Sequence, residues 1–320
     1  MGNIIVSINC IAYNHEKYIA DAIESFLMQQ TNFSYEILIH DDASIDRTAE
    51  IIREYEKKYP ELIKPIYQIE NQYSKGVDVL KVNDDRAIGK YVALCEGDDY
   101  WTDINKLQKQ VDYMEKHPEC SLCVHAGTVV SALDKKPLSY IRSNKGNKVF
   151  KVAEVIEGGG GLFVTNSMIY PTKFGQNRPI FIENAPVVDY PLAINLSLQG
   201  SVYYIDEFMS AYRTGDISSW TARNTTSFEN AIKHFNDIEI MLEEINEYTD
   251  YGYSYAIAQT KELNKFNLLL NHRRFIEAKT GEMKRIYLKL GFRQKLIIYL
   301  KQYFPSIITV LRVFKMKLIR

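Results

Sequence analysis

The sequence predicts an α/β fold: a doubly wound, mostly parallel sheet flanked by helices, with a helical appendage at the C-terminal end. Three observations carry that prediction. Short apolar, β-branched runs alternate with segments of helical periodicity; each run opens onto a polar or acidic cluster; and beyond Ser227 helical spacing takes over throughout. The expected division is a sheet domain over residues 1–224 and a helical region over 225–320.

Ile4 to Ile8 is a buried first strand, interrupted from Asn9 to Tyr18 by polar and aromatic residues. Ile19, Ala22, Ile23, Phe26 and Leu27 recur at helical spacing. Tyr35 to Ile39 is a second strand, followed by an acidic stretch in which Asp46 or Ser44 caps a helix that Pro60 stops. Pro65 to Glu70 is a short strand, Val77 to Ile88 a helix, and Tyr91 to Cys95 a strand that opens onto Glu96-Gly97-Asp98-Asp99. Lys106 to Lys116 is helical, Ser121 to Val130 a strand, and residues 131–150 a surface loop or hairpin. Gly158 to Gly161 permits unusual backbone angles, and Thr165 to Tyr170 follows as a strand. A helix after Asp189 stops at Gly200, Val202 to Ile205 is the last strand, and Met209 to Trp220 is polar and aromatic.

At 320 residues, 46% hydrophobic and 25% charged, the chain has the composition of an ordinary globular protein with a sizeable core. Its 23 tyrosines suit flat, partly wet ligand surfaces. The net charge of -1 hides an asymmetry: residues 283–320 hold ten Lys/Arg and no Asp or Glu, leaving 29 basic against 40 acidic side chains before them. An acidic body opposes a phosphate backbone, so no nucleic-acid partner is expected. From Arg293 to Arg320 the basic residues interleave with apolar ones, as in a helix lying on a membrane surface; packing of these helices on the sheet domain is the competing reading. Cys10, Cys95, Cys120 and Cys123 do not make a disulfide framework in so long a chain. No leader-like segment follows Met1, and no apolar stretch reaches the roughly 18 residues of a spanning helix. The expected location is the cytoplasm, with residues 283–320 as a possible contact to the inner membrane surface.

The acidic turn after Tyr91–Cys95 organises the functional reading. Carboxylates crowded at a strand end repel unless a cation compensates, and clustered oxygen ligands suit Mn²⁺ or Mg²⁺. In an open α/β sheet ligands collect at the carboxyl ends of strands, which is where Tyr13-Asn14, Asp41-Asp42 and Asp98-Asp99 fall. His117, Cys120, Cys123 and His125 have the composition of a zinc site, but alternate strand residues face opposite sides, which argues against one.

Taken together, these segments resemble the family 2 glycosyltransferases of GT-A fold. Val6-Ser7-Ile8 with Tyr13-Asn14-His15-Glu16 resembles the family's opening strand and Tyr-Asn-x-Glu loop, and Asp41-Asp42-Ala43-Ser44-Ile45-Asp46-Arg47-Thr48 its Asp-Asp-x-Ser-x-Asp-x-Thr segment. Glu96-Gly97-Asp98-Asp99 looks like its Asp-x-Asp-Asp metal motif, with Glu96 in place of the first Asp. Val188-Asp189-Tyr190 falls at the general base, and Tyr212-Arg213 through Trp220 resembles a later segment near the diphosphate. The likeness covers residues 3–220. It implies inverting transfer of a sugar from a nucleotide-activated donor, a UDP-sugar foremost, to a glycan or lipid-linked acceptor in surface polysaccharide synthesis. Tyr13 and Asn14 would flank the nucleotide, Asp41 or Asp42 would accept a hydrogen bond from its base, and Asp98 and Arg213 would contact the rest of it. Asp98, Asp99 and Glu96 would hold the ion, and Asp189 would be the base. Trp101, Asn166, Ser167 and Trp220 would lie on the substrate side.

Two departures stand out: Glu96 is a methylene longer than Asp, and only Lys81 and Arg86 lie near the place of an arginine that relatives carry before Ala87-Ile88-Gly89-Lys90-Tyr91. Asp189 also suits a helix N-cap, and Trp101 also suits packing beside the sheet. The competing functions are a nucleotidyltransferase, whose glycine-rich basic phosphate loop Asn9–Lys17 lacks, and a non-catalytic sugar-nucleotide binding module.

Overall fold

The computed structural model describes residues 3–215 and 227–304. The chain divides into two units, Met1–Asp216 and Ile217–Arg320. The boundary expected at 224/225, the proposed substrate residue Trp220, and the tail beyond residue 304 lie outside the described residues.

Unit 1 is a ten-stranded sheet with helices against it. In chain order its elements are β1 (Ile4–Ala12), α1 (Ile19–Leu27), β2 (Ser34–Asp41), α2 (Thr48–Lys58), β3 (Ile63–Tyr67), α3 (Val79–Arg86), β4 (Tyr91–Leu94), β5 (Tyr100–Trp101), α4 (Lys106–Lys116) and β6 (Cys120–Ser131). Then come β7 (Pro137–Ile141), β8 (Lys148–Phe150), α5 (Val152–Gly158), β9 (Ile169–Pro171), α6 (Thr172–Gln176), α7 (Ile180–Glu183), α8 (Asp189–Gln199) and β10 (Ser201–Thr214). The spatial order is β3-β2-β1-β4-β9-β6-β10-β5, with β7 on β6 and β8 on β10. Pairing is parallel through β3-β2-β1-β4 and between β6 and β10; the short strands β5, β7, β8 and β9 pair antiparallel. The chain winds outward from β1 through β2 to β3, then crosses back to place β4 on the other side of β1. That reversal opens a crevice at the carboxyl ends of β1, β2 and β4.

The two faces of β1 show why the segments fold this way. Val6, Ile8 and Cys10 alternate toward one core with Ile37 and Ile39 of β2, where Ile19, Ala22, Ile23 and Phe26 of α1, Ile52 of α2, and Leu107, Val111 and Met114 of α4 pack. Each such aliphatic side chain contributes about 1.5–3 kcal/mol by leaving water. The opposite face carries Ser7 and Asn9. The Asn9 amide donates to Leu80 O and Asp84 of α3, both at 2.8 Å, so a polar residue sits inside the strand without cost. For that reason β1 runs on to Ala12 instead of ending at Ile8. β10 likewise runs to Thr214, far past Ile205, because β6 pairs along its whole length with irregularities near Phe208. Thr165–Ser167 is a single 3-10 turn, so the strand expected from Thr165 is confined to Ile169–Pro171.

Unit 2 contains helices α9 (Phe228–Tyr248), α10 (Ser254–Asn271), α11 (Phe275–Lys279), α12 (Lys284–Lys289) and α13 (Phe292–Tyr303). Ser227 caps α9 by accepting Asn230 N at 3.1 Å. A small core of Phe266, Phe275, Ala278, Met283 and Ile298 joins the later helices.

Candidate active site

The loop after β1 and the loop after β2 are zipped together by their own side chains. Asn14, at φ 58°, donates its N–H to Ser44 Oγ (2.9 Å) and accepts Ile45 N at Oδ1 (2.9 Å). His15 N donates to Thr48 Oγ1, Glu16 N to Asp46 Oδ2, and Arg47 N to Glu16 Oε2. Asp46 also accepts Thr48 N at 2.9 Å, but the N-cap position of α2 is Arg47, so neither Asp46 nor Ser44 is the cap expected from sequence. Asn14 is thus a clip between loops, and its neighbour Tyr13 is left exposed at the rim, 38% accessible.

Asp41 and Asp42 end β2 with different surroundings. Asp42 accepts Gln72 N (2.7 Å) and Tyr73 N (3.1 Å), which anchors the following turn. Asp41 faces Ser44, and its buried Oδ1 has no hydrogen-bond partner; burial holds its carboxyl above the usual range despite the Ser44 donors. Of the two, Asp41 is the one that keeps a carboxylate oxygen without a hydrogen-bond partner.

The acidic turn follows β4. Gly97 N donates to Ile11 O (2.8 Å), and a Cβ on Gly97 would stand 2.9 Å from Ile19 Cδ1 and 3.0 Å from His15 Nδ1, so only glycine brings the turn this close to the β1 loop. Asp98 is partly exposed, its Oδ2 3.9 Å from His15 Nε2. Asp99 is buried with both oxygens engaged: Oδ1 accepts Arg213 N and Oδ2 accepts Asn166 Nδ2, each at 2.8 Å. Burial, then Asp98 and Asp189, push Glu96 up to about 8; burial, Asp98 and Glu96 raise Asp99 as well, against its two hydrogen bonds.

Asp189 opens α8 as its first residue, with Val188 at the N-cap position. Its Oδ1 accepts Tyr190 N (2.8 Å), its Oδ2 accepts Thr165 Oγ1 (3.3 Å), and its charge reaches Glu96. Glycines 159 and 160 line the small crevice beside it. Three residues assigned to the substrate side sit lower. Trp101, Asn166 and Ser167 are each at most 1% exposed, Trp101 edge-on to Phe26, so all three lie beneath the cleft.

Arg213 is committed within the protein. Its guanidinium donates to Asp98 O and the Asp21 carboxylate and lies against the rings of Tyr18 and Tyr100. Lys135, at 2.7 Å from Asp21 Oδ2, joins this cluster. Sequence reasoning assigns no site role to Asp21, Tyr18, Tyr100 or Lys135, although Tyr18 and Tyr100 lie within the loop after β1 and the acidic-turn stretch. Arg86 donates to Lys64 O and Ile39 O, and Lys81 pairs with Asp85, so both cations near the place of the missing arginine are spent on structure.

Among the described residues no group of three or more His, Cys, Asp or Glu side chains is arranged to hold a metal. The donor chemistry nonetheless suits a hard divalent ion. Glu96, Asp98 and Asp99 crowd together, and burial and one another's charge hold Glu96 and Asp99 above their ordinary ionisation range. The four cysteines are buried free thiols.

The sequence profile of Glycosyl transferase family 2 matches residues 7–170, and the chain belongs to that family. An uncharacterised protein of Mycobacterium tuberculosis is 35% identical over 230 residues, covering 69% of this chain and 62% of its own length. The chain thus spans less than two thirds of that relative. Escherichia coli WfaP, a UDP-Glc:alpha-D-GlcNAc-diphosphoundecaprenol beta-1,3-glucosyltransferase, is 36% identical over 116 residues, 35% of this chain and 41% of its own. Among solved structures, Staphylococcus aureus TarS 1–349 with UDP-GlcNAc superposes with a TM-score of 0.60 at 17% identity, covering 91% of this chain and 78% of that one. The mannosyltransferase PcManGT of Pyrobaculum calidifontis, with GDP-Man and Mn²⁺, has a TM-score of 0.57 at 14% identity, covering 97% and 84%. The fold is accordingly GT-A.

Proposed function

We propose that this chain transfers a sugar from a nucleotide-activated donor, a UDP-sugar foremost, to a hydroxyl of a glycan or lipid-linked acceptor, with inversion at the anomeric carbon. The observation that carries the reading is the convergence of an exposed Tyr13, an unpartnered Asp41 oxygen, a part-exposed Asp98 and Asp189 around the carboxyl ends of β1, β2 and β4. Tyr13 stacks on the base and Asp41 Oδ1 accepts its imide N–H. Asp98, with Asp99 and Glu96 behind it, would hold Mn²⁺ or Mg²⁺, which would supply Lewis-acid neutralisation of the diphosphate leaving group. The acceptor oxygen forms its bond to the anomeric carbon as the bond to the diphosphate breaks, and its proton passes to the Asp189 carboxylate. The names of WfaP and TarS's ligand support the donor and the lipid-linked acceptor. Family membership and the absence of a glycine-rich loop after β1 favour this over nucleotidyl transfer.

Turnover of a panel of UDP-sugars with Mn²⁺, and the product's anomeric configuration by NMR, test it. Asp189→Asn is expected to lower kcat at least a hundredfold while UDP still binds. UDP binding with no release of UDP from any donor would instead favour the binding module.

Among the described residues no helix is long and apolar enough to cross a membrane. Phe292, Leu296, Tyr299 and Tyr303 form an exposed stripe on α13 beside Arg293, Lys295 and Lys301, which supports peripheral contact with an anionic bilayer. Phe292→Glu with Leu296→Glu is expected to abolish flotation with anionic liposomes; unchanged flotation contradicts it.

A further inference from the structure

Beneath the acidic turn lies a buried polar cluster in which Asn166, Ser210 and Trp101 have no part in the transfer reaction proposed above. Asn166 is fully buried in the middle of the Thr165–Ser167 turn before β9. Its Nδ2 donates to Asp99 Oδ2 (2.8 Å) and to Ala211 O (3.1 Å), its Oδ1 accepts Ser210 Oγ (2.5 Å), and its backbone O accepts Trp101 Nε1 (2.9 Å). Two acceptors, Asp99 Oδ2 and Ala211 O, and one donor, Ser210 Oγ, converge on its side chain, which a carboxamide satisfies and no other side chain of that size does. The reversed amide would aim oxygen at the Asp99 carboxylate and nitrogen at the hydroxyl that donates, so the network fixes its orientation. With Arg213 N on the other oxygen, Asp99 is held from both sides by β10 and the 165–167 turn. Asp99 N closes the turn on Glu96 O (3.1 Å), and the Arg213 guanidinium takes Asp98 O. The one carboxylate of the Asp98–Asp99 pair left facing outward is Asp98.

We infer that Asn166 is a positioning residue: by clamping the Asp99 carboxylate it sets the acidic turn so that Asp98 faces the cleft. This assigns Asp99 a duty inside the protein and makes Trp101 and Ser210, through Asn166, parts of the same support. The inference rests on the reading of the cleft as a site for a divalent ion and a nucleotide.

A double-mutant cycle tests it, with UDP affinity measured by calorimetry with and without Mn²⁺ on wild type, Asn166→Ala, Asp99→Ala and the double variant. Asn166→Ala is expected to weaken UDP binding about tenfold in Mn²⁺ and less than about twofold without it. In the Asp99→Ala background the same change is expected to cost nothing further, because its effect passes through Asp99. Equal losses in both backgrounds, or wild-type affinity in Asn166→Ala, overturn the inference. Wild-type UDP binding that Mn²⁺ does not strengthen overturns the underlying reading of the cleft instead. Should Asn166→Ala fail to fold, Ser210→Ala takes its place: a weaker Mn²⁺-dependent loss is expected, and unchanged binding overturns the clamp.

Discussion

Of the two adjacent carboxylates that end β2, Asp42 gives both oxygens to backbone N–H groups of Gln72 and Tyr73, while Asp41 Oδ1 has no partner. Asp41→Asn should therefore weaken UDP binding about tenfold with little change in melting temperature, and Asp42→Asn should lower the melting temperature. Calorimetry and a thermal melt on both variants check this. Nothing in the sequence separates these neighbours, since the difference lies in a turn some thirty residues onward. A second residue was invisible for the same reason. Lys106 opens α4 and looks like a solvent-facing helix charge, yet it is fully buried over the Trp101 ring, 4.0 Å from Nζ to centroid, with no hydrogen-bond partner for Nζ. Burial lowers it to about 7, against neighbouring Cys95 and Cys123, which act to raise it. The unfolded chain holds that proton to a much higher pH, so above about pH 7 Lys106 by itself gives a rise in stability with pH, which the raised Glu96 and Asp99 carboxyls oppose. Lys106→Met should remove that rise and add about 1–3 kcal/mol at pH 7, measured by urea unfolding at several pH values.

At the scale of elements, helices and parallel strands followed from periodicity because one face of each is apolar; α4 was read at its observed bounds. Strand ends were misjudged where a polar residue is satisfied from another element. Asn9 reads as a break, but α3 supplies its partners from more than seventy residues away. The acidic turn was recognised from composition, whereas the clamp on Asp99 was not, because Asn166 and Arg213 reach it from elements far along the chain. Gly97 is where element packing and chemistry meet. Gly97→Ala should cost about 1–3 kcal/mol, since its Cβ would press on Ile19 and His15, and should weaken nucleotide binding by shifting Asp98. Unfolding and UDP titration of the variant read the two effects separately.

For the whole molecule, the alternation of strand and helix was enough to predict the α/β fold, but not the insertion of β9 between β4 and β6 or the antiparallel edge strands, which short loops and long-range pairing decide. Nor could it show that Arg178, on the segment before α7, is buried against Asp78 and Asp84 and so ties α3 to the later part of the domain. Arg178→Met strips the fully buried Asp84 carboxyl of its cation and of a hydrogen-bond donor and should destabilise unit 1 by about 3–5 kcal/mol in denaturant unfolding. On the proposed function, the sheet edge that these ties hold together is what would let one nucleotide meet residues from β1, β2, the acidic turn and α8. The decisive measurement is UDP binding by calorimetry on wild type and Asp98→Asn, each with and without Mn²⁺. Wild-type affinity should rise at least tenfold with Mn²⁺ and the variant's should not change; failure of the wild type to bind UDP, or an equal Mn²⁺ effect in Asp98→Asn, would contradict the site described.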